Sequence, residues 1–504
     1  MFHNLLSVGP YGQWIVAIMA TICSLTSGQF YAWPAAALPK INSGSAGFSL
    51  TDNESAWMIT ITFLGNILSP IPSGALMDRI GRRSTLSLGL LVAITSWLIL
   101  AFQTDIVSIL IARFLSGVWG GIVYTVVPAF LGEVVDPKIR GSMGAVFGVM
   151  LYVGALYESL ASNVSYQLFI FISMIPPIIL FVGFLFIPES PYYYLRKEKR
   201  EKAKNSIIWL KGRCSDEDLD ILQQRVQEQL EMKGTFCDIF RTKAGRKAFI
   251  IVEVLQAVQR CSGVTFLFAY TTVVVPESWL SPQDSFLLLT IVWITCSLLS
   301  STFMDKFGRK TLLCISCLGS GLGMSAAAVW YYLRDFSEID TSTTNYIPLL
   351  FLIFSGIFYS MGIVSIPTIV QSELFPVNVK SKGSALACIT ANIFSGISTR
   401  FFYDINDAIW VYFNFVIMGV SPLICVVFIL TVMVETKGKS LEMIQDMLNG
   451  HKVVKPVAER FVISQGLGKG SPNEDPDQIA TSLPSSLIPS QIPFGLDRPS
   501  FEFF

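Results

Sequence analysis

The chain has 504 residues, of which 52% are hydrophobic and 14% charged, and its mean hydropathy is +0.56. Soluble domains carry about 25% charged residues, so this composition excludes an ordinary soluble enzyme and points to a protein embedded in lipid. Thirty-six Lys and Arg balance 36 Asp and Glu, which leaves no electrostatic footprint for nucleic acid.

A window of about 20 residues finds twelve apolar spans, at 13–33, 56–77, 85–102, 107–134, 142–162, 167–187, 248–275, 285–304, 311–333, 346–371, 383–403 and 409–434. The first apolar run follows no basic n-region and leads to no small-residue cleavage site, so it reads as a span and not a removed signal. The charged stretch 192–247 between spans 6 and 7 has helical periodicity through Leu219, Leu222, Val226 and Leu230. Beyond Glu435 a short amphipathic helix (Leu441, Ile444, Met447, Leu448) precedes a Pro/Ser/Gly-rich tail whose composition predicts disorder. The expected organisation is a six-helix half at 1–191, a cytosolic helical linker at 192–247, a second six-helix half at 248–434, and a cytosolic helix and tail at 435–504.

Chemistry that needs imidazole or paired thiols is not expected. His3 and His451 lie outside every span, and the nine cysteines fall in apolar runs or in the linker. Cys314 and Cys317 share an apolar helix, where a redox or metal role is disfavoured. We therefore expect no metal, no cofactor and no enzymatic centre.

Basic residues set the orientation. The loops after spans 2, 4, 8 and 10 hold Arg79, Arg82, Arg83, Lys138, Arg140, Lys306, Arg309, Lys310, Lys380 and Lys382. The opposite loops hold only Lys40 and Arg334. Both termini and the linker are thus expected in the cytoplasm of a cell whose plasma membrane the chain spans. The acceptor sequons at Asn53 and Asn163 fall outside, where glycosylation can occur, with Asn53 close to the membrane.

The second half repeats the first. The sequence around Asp78, Gly81, Arg82 and Arg83 recurs at Asp305, Gly308, Arg309 and Lys310, 227 residues later. Glu133, seven residues before Arg140, matches Glu373, seven before Lys380, at an offset of 240; Glu189 matches Glu435 at 246. An even number of spans per half makes the repeat parallel, a plan known among transporters with a site between their halves.

With these motifs the chain resembles the sugar porters of the major facilitator superfamily. It carries G-x-x-x-D-R-x-G-R-R at 74–83, E-x6-R-G at 133–141, P-E-S-P at 188–191, D-x-x-G-R-K at 305–310, E-x-F-P at 373–376 and E-T-K-G-x-S-L-E at 435–442. The stretches 33–40, 207–212 and 399–402 resemble the facilitated trehalose transporter-like branch. The resemblance implies an all-α integral membrane fold of twelve transmembrane helices, alternating access, and a sugar as the small-molecule partner, with no obligate protein partner inferred. It also implies that Asp78, Arg79, Arg82, Arg83, Glu133, Arg140 and Glu189, with Asp305, Arg309, Glu373, Lys380 and Glu435, form an inner gate that closes the cytoplasmic side.

Polar residues within spans are the substrate candidates. Span 7 places Glu253, Gln256, Arg260 and Gly263 on one helical face, and a polar stripe belongs on a cavity or a neighbouring helix, away from lipid. Sugar porters read Q-Q-x-S-G-x-N here; Gln259, Ser262 and Gly263 match, while Arg260 replaces the second amide and Thr265 the Asn. Gln256, Gln259, Arg260, Thr265, Thr368 and Asn392 form the expected substrate set. Other positions depart from the pattern: Gly148 replaces a Gln, Thr368 an aromatic after Pro367, Ile393 a Trp, and Ala35-Ala36 a Ser-Pro. Arg260 needs a partner, and Glu253 seven residues earlier is the first choice, with Glu158 the second. Three roles stay open for it: an internal ion pair, contact with an anionic substrate, or the mark of a poor transporter. Residues 13–33 contain no acid, which favours facilitated uniport, although Glu158 leaves proton coupling open. A non-transporting sugar sensor is the alternative of a different class.

Overall fold

The computed structural model describes residues 11–449 except 104, 232–234, 338–341, 376–378, 438 and 440, and all regular structure among them is helical. Ten helices are long and apolar enough to cross a membrane, and two bent pairs bring the number of candidate spans to twelve. The first half comprises α1 (Gly12–Asn42), α2 (Asp52–Leu68), α3 (Pro70–Ile80), α4 (Arg82–Ala101), α5 (Ile106–Val134), α6 (Pro137–Ala161) and α7 (Tyr166–Phe184). Four short helices follow: α8 (Pro191–Arg196), α9 (Arg200–Lys211), α10 (Asp216–Glu231) and α11 (Phe236–Arg241). The second half opens with α12 (Lys243–Cys261), α13 (Val264–Val274), α14 (Pro282–Phe307), α15 (Arg309–Phe336) and α16 (Ile347–Phe358). It continues through a π turn (Tyr359–Ile363), α17 (Ile366–Leu374), α18 (Lys380–Arg400), α19 (Phe402–Ile409) and α20 (Val411–Thr431), and α21 (Leu441–Asn449) ends the described chain.

Local chemistry explains the element boundaries. Thr51 and Glu54 form a reciprocal capping box at the start of α2: Glu54 accepts from the Thr51 amide at 2.8 Å, and Thr51 Oγ1 from the Glu54 amide at 3.3 Å. Two corresponding turns are a single residue long. Gly81 (φ +103°) joins α3 to α4 and Gly308 (φ +84°) joins α14 to α15, in backbone conformations that side chains rarely adopt.

Small residues set how closely helices approach. A Cβ on Gly28 of α1 would strike the Leu151 carbonyl of α6, and one on Gly154 of α6 would strike the Leu25 carbonyl of α1. In the second half Gly321 of α15 and Gly419 of α20 meet in the same reciprocal way. Lipid is as apolar as leucine, so such close contact is what holds spans together in a bilayer. Large side chains fill the rest, with Phe30 stacked on Trp97 at 4.5 Å. Leu88, Leu91, Ile175 and Ile179 stay exposed on outward faces, as a lipid-facing surface requires.

The observed elements differ from the expected ones in three places. Span 1 runs nine residues past its expected end at 33, through Pro34 and Pro39; helices in membranes tolerate proline because neighbouring groups satisfy the freed backbone. The linker is four short helices, the first three packed around Leu195, Ala203, Ile207, Leu219 and Val226. Its last turn belongs to the second half, since α12 begins at Lys243 and not at 248. Spans 2, 7, 10 and 11 are all broken, the α2–α3 pair by 46°. The tail beyond 450, with His451, and His3 lie outside the described residues.

Two ends can be distinguished. At the charged end the linker meets the first half: Ser206 Oγ donates to the Glu189 carbonyl at 2.6 Å, and Lys211 pairs with Asp136. On the second half, Gln445 of α21 donates to the Leu374 carbonyl at 2.7 Å. The far end carries Lys40, Asn53, Asn163 and Arg400.

Candidate substrate site

Span 7 breaks between α12 and α13 at Gly263, whose φ of +101° only glycine takes without strain. A Cβ there would press on Met418. Gln259, four residues before the break, uses both amide protons on span 10. Its Nε2 donates to the carbonyls of Ile363 at 2.8 Å and Val364 at 2.7 Å, at the end of the π turn. Tyr359, opening that turn, donates its hydroxyl to the Gln259 carbonyl at 3.1 Å. Single π turns expose backbone groups and recur at functional sites. Gln259 Oε1 is buried and has no hydrogen-bond partner among the described residues.

The other expected residues group around this pair. Gln256 Nε2 donates to Gln371 Oε1 of α17 at 2.9 Å. Thr265 lies 3.4 Å from Ser395 of α18, oxygen to oxygen. Asn392 donates to the carbonyl of Cys388 on its own helix at 2.8 Å. Thr368 is exposed and bonded back to Ser365, apart from the others.

Arg260 corrects two expectations. It forms no ion pair with Glu253 or with Glu158. Two helical turns separate Arg260 from Glu253 by about 10 Å along the axis, and Glu253 faces Thr390 of α18. Glu158 is engaged elsewhere, accepting from Gln29 and Ser173. The Arg260 charge acts instead on the hydroxyls of Tyr31 (α1), Tyr124 (α5), Tyr152 (α6) and Tyr359, and on Cys388 (α18). Just beyond it α13 packs on α1 of the first half, so Arg260 lies beside the seam between the halves. Arg260, Tyr31 and Tyr124 are only half-buried although they sit mid-helix, so the seam is open there.

Three features escaped the sequence reading. The four tyrosines were not singled out, because nothing in an apolar run separates a ring with a working hydroxyl from any other aromatic. Gln371 lay near the end of its span. Arg113 carried the clearest signal, an arginine inside an apolar span. It is 1% exposed, donates to the carbonyls of Phe30 at 2.8 Å and Met58 at 3.2 Å, and stacks over Trp33.

The charged motifs form one device built twice. Glu189 accepts from the backbone amides of Arg82, Arg83 and Ser84 at 2.8, 3.0 and 3.2 Å, capping α4. Glu435 caps α15 through the amides of Arg309 at 3.1 Å and Lys310 at 3.0 Å. Burial pushes the Glu435 carboxyl up, but the amides of Lys437, Lys310, Arg309 and Thr436 outweigh it and hold it below its ordinary value. Arg82 pairs with Glu133 at 2.8 Å, and Arg309 with Glu373 at 3.2 Å. Arg83 reaches the Phe184 and Leu185 carbonyls, and Lys310 those of Leu430 and Met433; basic groups suit helix C-termini. Asp78 pairs with Arg196 of the linker and lies 3.7 Å from Arg82.

Remaining members are less engaged. Arg79 is exposed, its carbonyl accepting from Tyr193. Arg140 donates to the Val135 carbonyl at 3.3 Å, and Lys380 lies near Glu373. The side chain of Asp305 lies outside the described residues. Asn53 Oδ1 accepts from Arg400 at 3.0 Å, while Asn163 is exposed in the turn after α6.

The family model for sugar (and other) transporters matches residues 13–448. This chain belongs to that family. Transporter relatives include the facilitated trehalose transporter Tret1 of Apis mellifera ligustica, 26% identical over 452 residues, covering 87% of this chain and 88% of the relative. The Tret1 of Polypedilum vanderplanki is 27% identical over 448 residues, with 87% and 88% covered. Among solved structures, the inward-open xylose transporter XylE from E. coli superposes with a TM-score of 0.72 at 19% identity, over 86% of this chain and 99% of that one. XylE bound to 6-bromo-6-deoxy-D-glucose gives 0.69 at 19% identity, over 87% and 99%. The transporter thus has the twelve-helix major facilitator fold, and its family transports solutes and does not catalyse reactions.

Proposed function

We propose that this transporter carries a small polyhydroxylated sugar, a hexose or trehalose, down its gradient by rocking of its two halves. We place it in the plasma membrane, with the charged end, the linker and both termini in the cytoplasm. The insect relatives, named as facilitated trehalose transporters, support the solute class, and the Lys and Arg bias supports the orientation.

The observation that carries the reading is the inequality of the two ends. At the far end the halves touch: Thr272 Oγ1 of α13 donates to the Ala35 carbonyl of α1 at 2.7 Å, and Arg400 of α18 meets Asn53 of α2. At the charged end, the ion pairs among the described side chains stay within one half, stay within the linker or tie the linker to the first half, and none joins the two halves. This is a carrier shut on one side and open on the other. In the seam Gln256, Gln259, Thr265 and Asn392 offer amides and a hydroxyl, which both donate to and accept from sugar hydroxyls, with Thr368 at the open side. The motif charges would re-pair across the seam when the charged end shuts, Asp78, Arg140 and Lys380 being the described members without a strong partner inside their own half.

Uptake by the purified protein in proteoliposomes tests this. Labelled glucose or trehalose should equilibrate by a saturable route that an uncoupler leaves unchanged. Accumulation abolished by an uncoupler would overturn uniport, and absence of saturable flux for every hydroxylated solute would overturn transport itself.

A further inference from the structure

Arg260 sits halfway along its span, between the halves, with no acidic partner among the described residues. A cation at that depth is costly, and fixed cations in membrane proteins are retained where they face a counter-charge or a solute path. Its Nε is buried and donates to nothing. Arg260 is half-buried three residues before the break at Gly263, beyond which α13 packs on α1 of the other half, so the group lies beside the seam between the halves.

The surroundings offer mostly protons. Tyr31 Oη accepts from Asn66 Nδ2 at 2.8 Å, which leaves its own O–H free to donate into the seam. Guanidinium contributes up to five donors in a planar fork that matches a carboxylate. Against these stand two buried acceptors with no partner among the described residues, Gln259 Oε1 and Asn66 Oδ1. A neutral sugar, whose hydroxyls each donate as well as accept, leaves such a site with donors in excess. A hydroxylated anion balances it, its charged group taking the donors and one hydroxyl supplying the proton for Gln259.

Resting on the reading of the seam as a sugar path, we propose that, beyond the neutral sugars this path admits, the preferred solute is an anionic sugar, a carboxylate of the uronate or aldonate type. Its carboxylate pairs with the Arg260 guanidinium and accepts from Tyr31, while its hydroxyls meet Gln259 Oε1 and Asn392. Arg260 then sets the specificity of this carrier, taking the place of the amide that resemblance to sugar porters leads one to expect. An arginine lining an otherwise neutral path favours anions for the same electrostatic reason that it does in anion pores.

The test uses the full chain in detergent and in proteoliposomes, with glucuronate, glucose and glucose 6-phosphate as probes. Binding is read by tryptophan fluorescence or ligand-dependent unfolding temperature, and flux by labelled uptake. Wild type should prefer glucuronate over glucose by at least about tenfold, as a bidentate charge-assisted contact provides. Arg260→Gln should lose at least about tenfold in glucuronate binding and so narrow or reverse the ratio of glucuronate to glucose affinity, and Arg260→Lys should retain part of the anion preference. If Arg260→Gln elutes as aggregate on size exclusion, the wild-type preference among the three probes decides alone. Glucose bound and carried in preference to both anions would overturn the proposal and leave sugar transport standing. An unaltered glucuronate affinity in a well-folded Arg260→Gln would overturn it as well. Preference for glucose 6-phosphate would overturn the carboxylate assignment. Failure of all three probes to bind or move would overturn both this inference and the transport reading beneath it.

Discussion

Gln29 donates from Nε2 to Oε1 of Glu158 at 2.9 Å, joining α1 to α6 one turn from the contact where Gly154 meets the Leu25 carbonyl. Ser173 of α7 donates to the other carboxylate oxygen, also at 2.9 Å, and the Arg113 charge acts on the same group. Glu158 is fully buried, so this is a satisfied polar junction of four helices inside the first half. A buried carboxylate with its hydrogen bonds made is tolerable; an amide and a hydroxyl left without it are not.

Glu158→Ala should therefore destabilise the first half by about 1–3 kcal/mol, the cost of leaving buried donors short of an acceptor, since Gln29 also donates to the Ser173 carbonyl and Ser173 to that of Phe169. Glu158→Gln should cost markedly less, since its amide oxygen still accepts from one neighbour. Thermal unfolding of the purified protein checks both. Equal melting temperatures for wild type and Glu158→Ala would show that the junction contributes nothing.

Glu435 gives a pH signature at the charged end. Its carboxyl is held below the ordinary value in the folded protein, so its stabilisation is complete above the unfolded value of about 4.3 and disappears as the pH falls through the folded value. Glu435→Gln should melt earlier than wild type near neutral pH, and the two curves should converge as the buffer is acidified. A constant gap between pH 7 and pH 3 would contradict the assignment.

Asp78→Asn and Arg309→Ala disturb the repeated charge device without touching the seam. Each should slow turnover several-fold and leave substrate affinity within about a factor of two, as uncoupled effects on exchange and binding require. Lost affinity with normal saturated turnover would remove these residues from the gate.

The fold could be read from the sequence because its signals are local and repeated. Twelve apolar runs, one-residue glycine turns at Gly81 and Gly308, and paired acids at Glu189 and Glu435 each state their own structure. The seam was less legible. Gln259 was found from its motif, but its bond to the Ile363 and Val364 carbonyls depends on a π turn that no residue pattern announces. Arg260 was given Glu253 as a partner because one-dimensional spacing cannot say which way a flexible side chain leans when neighbours come from the other half. Arg113 was overlooked because a lone cation barely lowers the average of an apolar window.

Asn163 should carry a glycan and Asn53 should not. Asn163 is exposed in a turn, whereas Asn53 lies in the first turn of α2 with its carbonyl held by Arg400, whose guanidinium also covers Trp57 at 5.1 Å. Asn163→Gln should shift mobility on a gel in the way that glycosidase treatment does, and Asn53→Gln should leave mobility unchanged. A shift for Asn53→Gln would place that residue farther from the bilayer than its helix allows.

The contacts between halves at the far end have a kinetic consequence. One is a hydroxyl on a backbone carbonyl and the other a guanidinium on a neutral amide, and among the described residues no ion pair joins the halves at that mouth. Such a latch lifts without separating ions, and ionic strength should leave the step almost untouched. The opposite mouth, lined with the carboxylates and guanidinia of the repeated motifs, closes by bringing charge together. The empty carrier's resting preference should therefore drift with salt, and it should drift because of one end alone.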